Sequence, residues 1–121
     1  SSAASDVYKR QGETLPCMVQ LSYDGDTARG GAHLDDVPAT VAAVEESEHL
    51  EMAGFMVVPP LDSQPREVFA QARSLTDDYA AKLKRNLRLS AGMSGDFVDA
   101  IECGSDIVRV GTALLGPRPV L

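Results

Sequence analysis

Four short apolar runs, LPCMVQLS (15–22), LEMAGFMVV (50–58), LRLSA (87–91) and DIVRVGT (106–112), are separated by stretches with helical rather than strand periodicity. Each run is too continuously apolar to alternate a wet face with a dry one, so each is expected to be a buried strand. Parallel strands need long crossovers, and helices between buried strands supply them. The alternation β-α-β-α-β-α-β therefore predicts an α/β chain with a parallel sheet covered by helices. Such units build both open doubly wound sheets and closed barrels, and periodicity does not choose between them.

The intervening segments carry their own punctuation. YDGDTARGGAHLDD (23–36) reads as a turn-rich loop, after which Asp35 or Asp36 can cap a helix with Pro38 in its first turn and Val37, Val41 and Val44 on one face. Pro59 and Pro60 stop the second strand, and Pro65 opens a second helix with a stripe of Val68, Ala72, Leu75, Tyr79 and Leu83 and a basic end at Lys82, Lys84 and Arg85. SGDFVDAIECG (94–104) predicts a short third helix with Ser94 as N-cap, Asp96 in the first turn and Gly104 as its stop.

Composition removes several function classes. A net charge of -7 leaves no basic stripe to neutralise phosphates, so neither nucleic acid nor an anionic membrane is an expected partner. No apolar run approaches the roughly 20 residues needed to span a bilayer, and the cytoplasm is the expected location. Cys17 and Cys103 stand far apart without a CxxC pattern and are expected to act as small buried hydrophobes. His33 and His49 are isolated, and Asp24 with Asp26 offers too few ligands for a calcium loop. The opening SSAASDVYKRQG has no periodicity and resembles translated cloning-adaptor sequence; residues 1–11 are expected to be a non-native leader.

Chemistry is concentrated near the C-terminus. SAGMSGD (90–96) and the pair Gly111–Thr112 follow neighbouring strands, and small residues there let a backbone approach a ligand closely. In eight-stranded barrels the last two strand-to-helix loops commonly hold a phosphate. Gly and Ser after strands also serve as plain turn formers. Arg109 lies in an otherwise apolar strand, on the same face as Ile107 and Gly111 by alternation. A guanidinium there requires a partner, either a carboxylate in a structural ion pair or a bound ligand.

LSAGMSGDFVDAIECGSDIVRVGTALLGPRP, with GFMVVPPL and VQLSYDGDTARGG, resembles the C-terminal half of the YggS/PROSC family, the pyridoxal phosphate homeostasis proteins; the likeness covers residues 13 to 119. The resemblance implies a TIM-like (β/α)8 barrel of PLP fold type III, with pyridoxal 5′-phosphate (PLP) at the C-terminal mouth of the strands. It implies that Ser90, Met93, Ser94, Gly111 and Thr112 hold the phosphate, Ser94 and Thr112 through hydroxyls and Met93 and Gly111 chiefly through main-chain N–H groups. Arg109 matches the family arginine facing the pyridine nitrogen. The implied function is that of a non-catalytic PLP carrier, with PLP-dependent apoenzymes as recipients.

The family's covalent lysine tether, at the end of a first barrel strand, has no counterpart: the lysines are Lys9, Lys82 and Lys84, the last two expected to face solvent at a helix end. Residues 12–121 are accordingly expected to be strands five to eight of the barrel, a C-terminal half. Its open edges, CMVQL and IVRVG, are expected to drive self-association. Two alternatives remain. One is a fragment of a fold-type III PLP enzyme such as alanine racemase; the other is a fragment of a phosphate-binding barrel enzyme acting on a sugar phosphate, which requires a general acid or base at a strand end.

Overall fold

The computed structural model describes residues 14–23 and 31–111. The elements in chain order are β1 (Leu15–Ser22), β2 (Ala32–His33), a 3-10 turn (Leu34–Asp36), α1 (Val37–Glu46), β3 (Leu50–Val57), α2 (Pro65–Leu83), β4 (Arg88–Met93), α3 (Phe97–Glu102) and β5 (Ile107–Arg109). All strand pairs are parallel, in the order β2-β1-β3-β4-β5. This is the α/β architecture expected of part of a TIM-like barrel.

One strand more is present than the four apolar runs suggest. Ala32 and His33 pair with Leu21 and Ser22, so β2 covers the last two positions of the β1 edge. Two residues in a turn-rich loop carry no strand periodicity; only the neighbouring edge makes them a strand. Elsewhere β1 lies beside β3 from Leu15↔Leu50 to Leu21↔Val57, with a register shift between Cys17 and Met18 that leaves Ala53 out of the pairing.

The core lies between one face of the sheet and the helices. Val19, Leu21, Phe55, Val57, Leu89 and Ala91 from the strands meet Val37, Val41 and Val44 of α1, Val68, Phe69, Ala72 and Tyr79 of α2, and Ala100 of α3. Phe55 and Tyr79 pack ring to ring at a centroid separation of 5.5 Å. The stripe on α2 is wider than expected, since Phe69 and Thr76 are also fully buried. Thr76 is accommodated because its hydroxyl donates to the Ala72 carbonyl at 2.7 Å, leaving no unsatisfied polar group inside. Cys17 and Cys103 are free thiols, half-buried rather than fully buried, and both pack against this core.

Helix ends match the punctuation with two changes. Asp36 occupies the N-cap of α1 but its side chain makes no capping bond. The N-cap of α3 is Asp96, not Ser94. The Asp96 carboxylate accepts the Met93 N–H at 2.7 Å, and that bond ties the turn from Met93 to Asp96 more strongly than a serine hydroxyl would. Glycine is required at two places near this turn. Gly92 has φ +105, and a Cβ there would lie 2.7 Å from Ala100 Cβ, so α3 can sit tight on β4 only without a side chain. Gly104 has φ +97 and ends the segment as expected.

Candidate functional site at the C-terminal ends of β4 and β5

Because the strands are parallel, the segments that follow them gather at one end of the sheet. Ser90 is in register with Met56 on one side and Ile107 on the other, and Met93 is in register with Arg109. Ser90, Met93, Ser94, Arg109 and Gly111 are thus brought to neighbouring strands and their ends. Thr112 lies outside the described residues, as do Asp24, Asp26, Lys9 and the expected leader.

Arg109 is on the face away from the helices. Phe55 and Val57 point into the helix-covered core, so the intervening Met56 points the other way, and Arg109 Nη1 lies 3.8 Å from Met56 Sδ. Val108 takes the opposite direction, with Cγ1 3.2 Å from where a Gly92 Cβ would stand, against α3. The guanidinium also donates to the Val57 carbonyl at 3.4 Å. Its Nε is buried without a hydrogen-bond partner among the described residues. No carboxylate among the described residues pairs with it, so the structural ion pair weighed from sequence is not seen there. A guanidinium held by two long contacts keeps donor capacity for something else.

The turn after β4 is arranged differently from expectation in one respect. The Met93 N–H already donates to Asp96, so it is not offered to a ligand. Ser94 is half-buried at the tip of this turn, and Met93 itself is 47% exposed. A Cβ built on Gly95 or on Gly111 meets nothing within 4 Å, so both glycines border open space. Sequence reasoning also missed Met56 and Val57 as the neighbours of Arg109; the pattern LEMAGFMVV gives no hint of which strand lies across from it.

These features fit a phosphorylated heteroaromatic ring. The buried, orphaned Nε and its guanidinium suit a ring acceptor, and the small residues around Ser94 and Gly111 suit a phosphate. Lys82 and Lys84 are elsewhere: α2 runs from the C-terminal end of β3 back toward the start of β4, and both lysines sit exposed at that far end, Lys82 with Nζ 4.9 Å from the Tyr79 ring centroid. A cavity of about 450 Å³ lined in part by Pro16, Met18, Arg88 and Ile107 also opens toward the starts of the strands and contains none of the candidate residues. Among the described residues no group of three or more His, Cys, Asp or Glu side chains could hold a metal, and no helix is long and apolar enough to cross a membrane.

Comparison with known proteins adds the following. The family model for the alanine racemase N-terminal domain matches residues 2–119, a span that takes in the stretch expected to be a leader. A pyridoxal phosphate homeostasis protein of Corynebacterium glutamicum is 46% identical over 117 residues, which are 97% of this chain and 53% of that protein. The protein of the same name from Escherichia coli K12 is 33% identical over 107 residues, 86% of this chain and 46% of its own length. The solved structure of PipY from Synechococcus elongatus PCC7942 with PLP bound superposes with a TM-score of 0.77 at 26% identity, covering 95% of this chain and 55% of PipY. The chain spans about half the length of the relatives it matches.

Proposed function

Because the chain belongs to the family of the alanine racemase N-terminal domain, we propose that it supplies the phosphate-holding and ring-nitrogen-facing half of a PLP site in a PLP homeostasis protein. The observation that carries this reading is Arg109, whose backbone is in register with Met93 and whose guanidinium, by Met56 and Val57, keeps a buried Nε with no partner among the described residues. Ser94 and Gly111, with Thr112 beyond the described residues, hold the phosphate; Ser90 and Met93 shape the floor beneath it.

The identity of the donor bears on the kind of function. An arginine donates but cannot accept, and it stays protonated, so a pyridine nitrogen facing Arg109 remains unprotonated. When bound, PLP acts as an electron sink only to the extent that its ring nitrogen is positive. Arg109 therefore favours holding the cofactor over turnover, and the protein is read as a carrier that passes PLP to apoenzymes rather than as an enzyme. Lys82 and Lys84, the lysines among the described residues, are too remote from Arg109 along the fold to tether the ligand.

The test uses 4-deoxypyridoxine 5′-phosphate, which keeps the phosphate and ring nitrogen but lacks the aldehyde that would react with surface lysines. Saturable binding is expected, with Arg109→Met weakening it by about 10- to 100-fold, as loss of a hydrogen bond from a charged donor predicts. Absence of saturable binding at millimolar ligand, or equal affinity in Arg109→Met, would overturn the assignment.

A further inference from the structure

We propose that Ser105 and Asp106 are positioning residues for Arg109: their polar side chains take up main-chain groups of β4 and so fix the register that sets Arg109 beside Met93. The proposal rests on the reading of Arg109 as the donor to a ring nitrogen.

The pairing of β4 with β5 is irregular. Ser90 is opposite Ile107 and Met93 is opposite Arg109, so three steps along β4 match two along β5. A strand of three residues with one described neighbour has little ladder of its own to hold such a register. The two residues before it supply the lock. The Asp106 N–H donates to the Leu89 carbonyl at 2.9 Å, and Asp106 Oδ2 accepts the Leu89 N–H at 2.9 Å, so one residue engages both main-chain groups of Leu89.

Ser105 does the same two residues further along β4. Its Oγ accepts the Ala91 N–H at 3.2 Å and lies 2.7 Å from the Ala91 carbonyl and 2.9 Å from that of Ile107. The hydroxyl is thereby inserted into the ladder between the two strands.

Arg73 of α2 closes the arrangement from the helix side. Its Nη1 donates to Asp106 Oδ2 and to the Gly104 carbonyl, each at 3.0 Å, while Asp77 holds its Nη2 at 2.7 Å. A Cβ on Gly104 would stand 2.8 Å from Arg73 Cδ, so this clasp also needs the glycine. Arg109 follows three residues after Asp106, and its own side-chain contacts are long, at 3.4 and 3.8 Å. Its placement is therefore set by the backbone on which it is mounted, and the clasp sets that backbone.

Two measurements decide the matter. In the ligand-free chain, cross-strand NOEs between Met93 and Arg109 are expected to be lost in Ser105→Ala and Asp106→Asn and kept in Ser105→Thr. Arg73→Met, which leaves both strands unaltered in sequence, is expected to weaken them and serves if the strand variants fail to fold. With ring-15N 4-deoxypyridoxine 5′-phosphate at saturation, the ring-nitrogen shift in Ser105→Ala is expected to move at least halfway toward its Arg109→Met value. Retention of the Met93–Arg109 NOEs in folded Ser105→Ala and Asp106→Asn, or a wild-type ring shift in both, overturns the positioning role. Identical ring shifts in wild type and Arg109→Met would instead sink the reading of Arg109, leaving the NOEs to decide the clasp.

Discussion

Replacing Gly92 by alanine tests whether the turn after β4 is held by close approach of α3. The substitution meets two separate obstacles. At φ +105 an L-residue is strained, which costs about 1–3 kcal/mol. The new Cβ would also fall 2.7 Å from Ala100 Cβ and 3.2 Å from both Phe97 Cα and Val108 Cγ1, well inside ordinary carbon contact of about 3.5–4.0 Å. Overpacking of this kind costs about 1–3 kcal/mol, giving a total near 2–6 kcal/mol. For a urea slope of about 1.5 kcal/mol/M, a 4 kcal/mol loss lowers the unfolding midpoint by roughly 2–3 M. Ala100→Gly removes the atom in the way without easing the backbone. A double-mutant cycle should therefore return a coupling of about 1–3 kcal/mol, with the strain component left over. Stability of Gly92→Ala within about 0.5 kcal/mol of wild type, or a coupling of zero, would refute the reasoning.

Lys84 ends α2 with φ 52, a left-handed conformation in which glycine is unstrained, while its N–H donates to the Ala80 carbonyl. Lys84→Gly is expected to raise stability by up to about 1 kcal/mol and the melting temperature by a few degrees, as read by a calorimetric scan. Burial pushes the Asp106 carboxyl up, but the Leu89 N–H and the Arg73 guanidinium outweigh it and hold it below the usual carboxylate range. Its stabilising contribution is thus complete above the unfolded carboxylate value and disappears as pH falls through the lower folded one. Asp106→Asn should flatten the acid limb of the stability curve; because Asp106 is 43% exposed, the loss at neutral pH is held to about 1 kcal/mol. The outer side of β5, and the side of β1 residues 15–20 turned away from β3, have no strand partner among the described residues, and sedimentation at micromolar concentration should show self-association. A compact monomer there would count against it.

The features legible in the sequence were those with a local cause. Leu15–Ser22, the helix opened by Pro65 and the stop at Gly104 all follow from apolar runs or from backbone restrictions of single residues. Val37, Val41 and Val44 were legible because a helix repeats its inward face every three or four residues. What escaped depends on neighbours. Ala32–His33 is a strand only because Leu21 and Ser22 lie alongside. Asp96 stands at the N-cap in place of Ser94 without a side-chain capping bond, its carboxylate turned back to the Met93 N–H, a contact that exists only once the turn has closed. Thr76 falls outside the apolar stripe, and it is buried only because its hydroxyl donates to the Ala72 carbonyl. Of the candidate site, alternation gave only the residues that share a face with Arg109; its place by Met56 and Val57 depends on which strands lie across from it. The clasp at Ser105 and Asp106 was invisible, since it exists only through the Leu89 and Ala91 main-chain groups of the neighbouring β4.

The half-buried guanidinium of Arg109 also bears on the energy landscape of the chain. A natural fold tends to reconcile its local demands, and a donor group enclosed without an acceptor is a point of frustration left in place. An incoming acceptor resolves that conflict, so occupancy should quiet the fluctuations of β5 and slow amide exchange there. Ligand and fold are in that sense complementary solutions to one electrostatic mismatch.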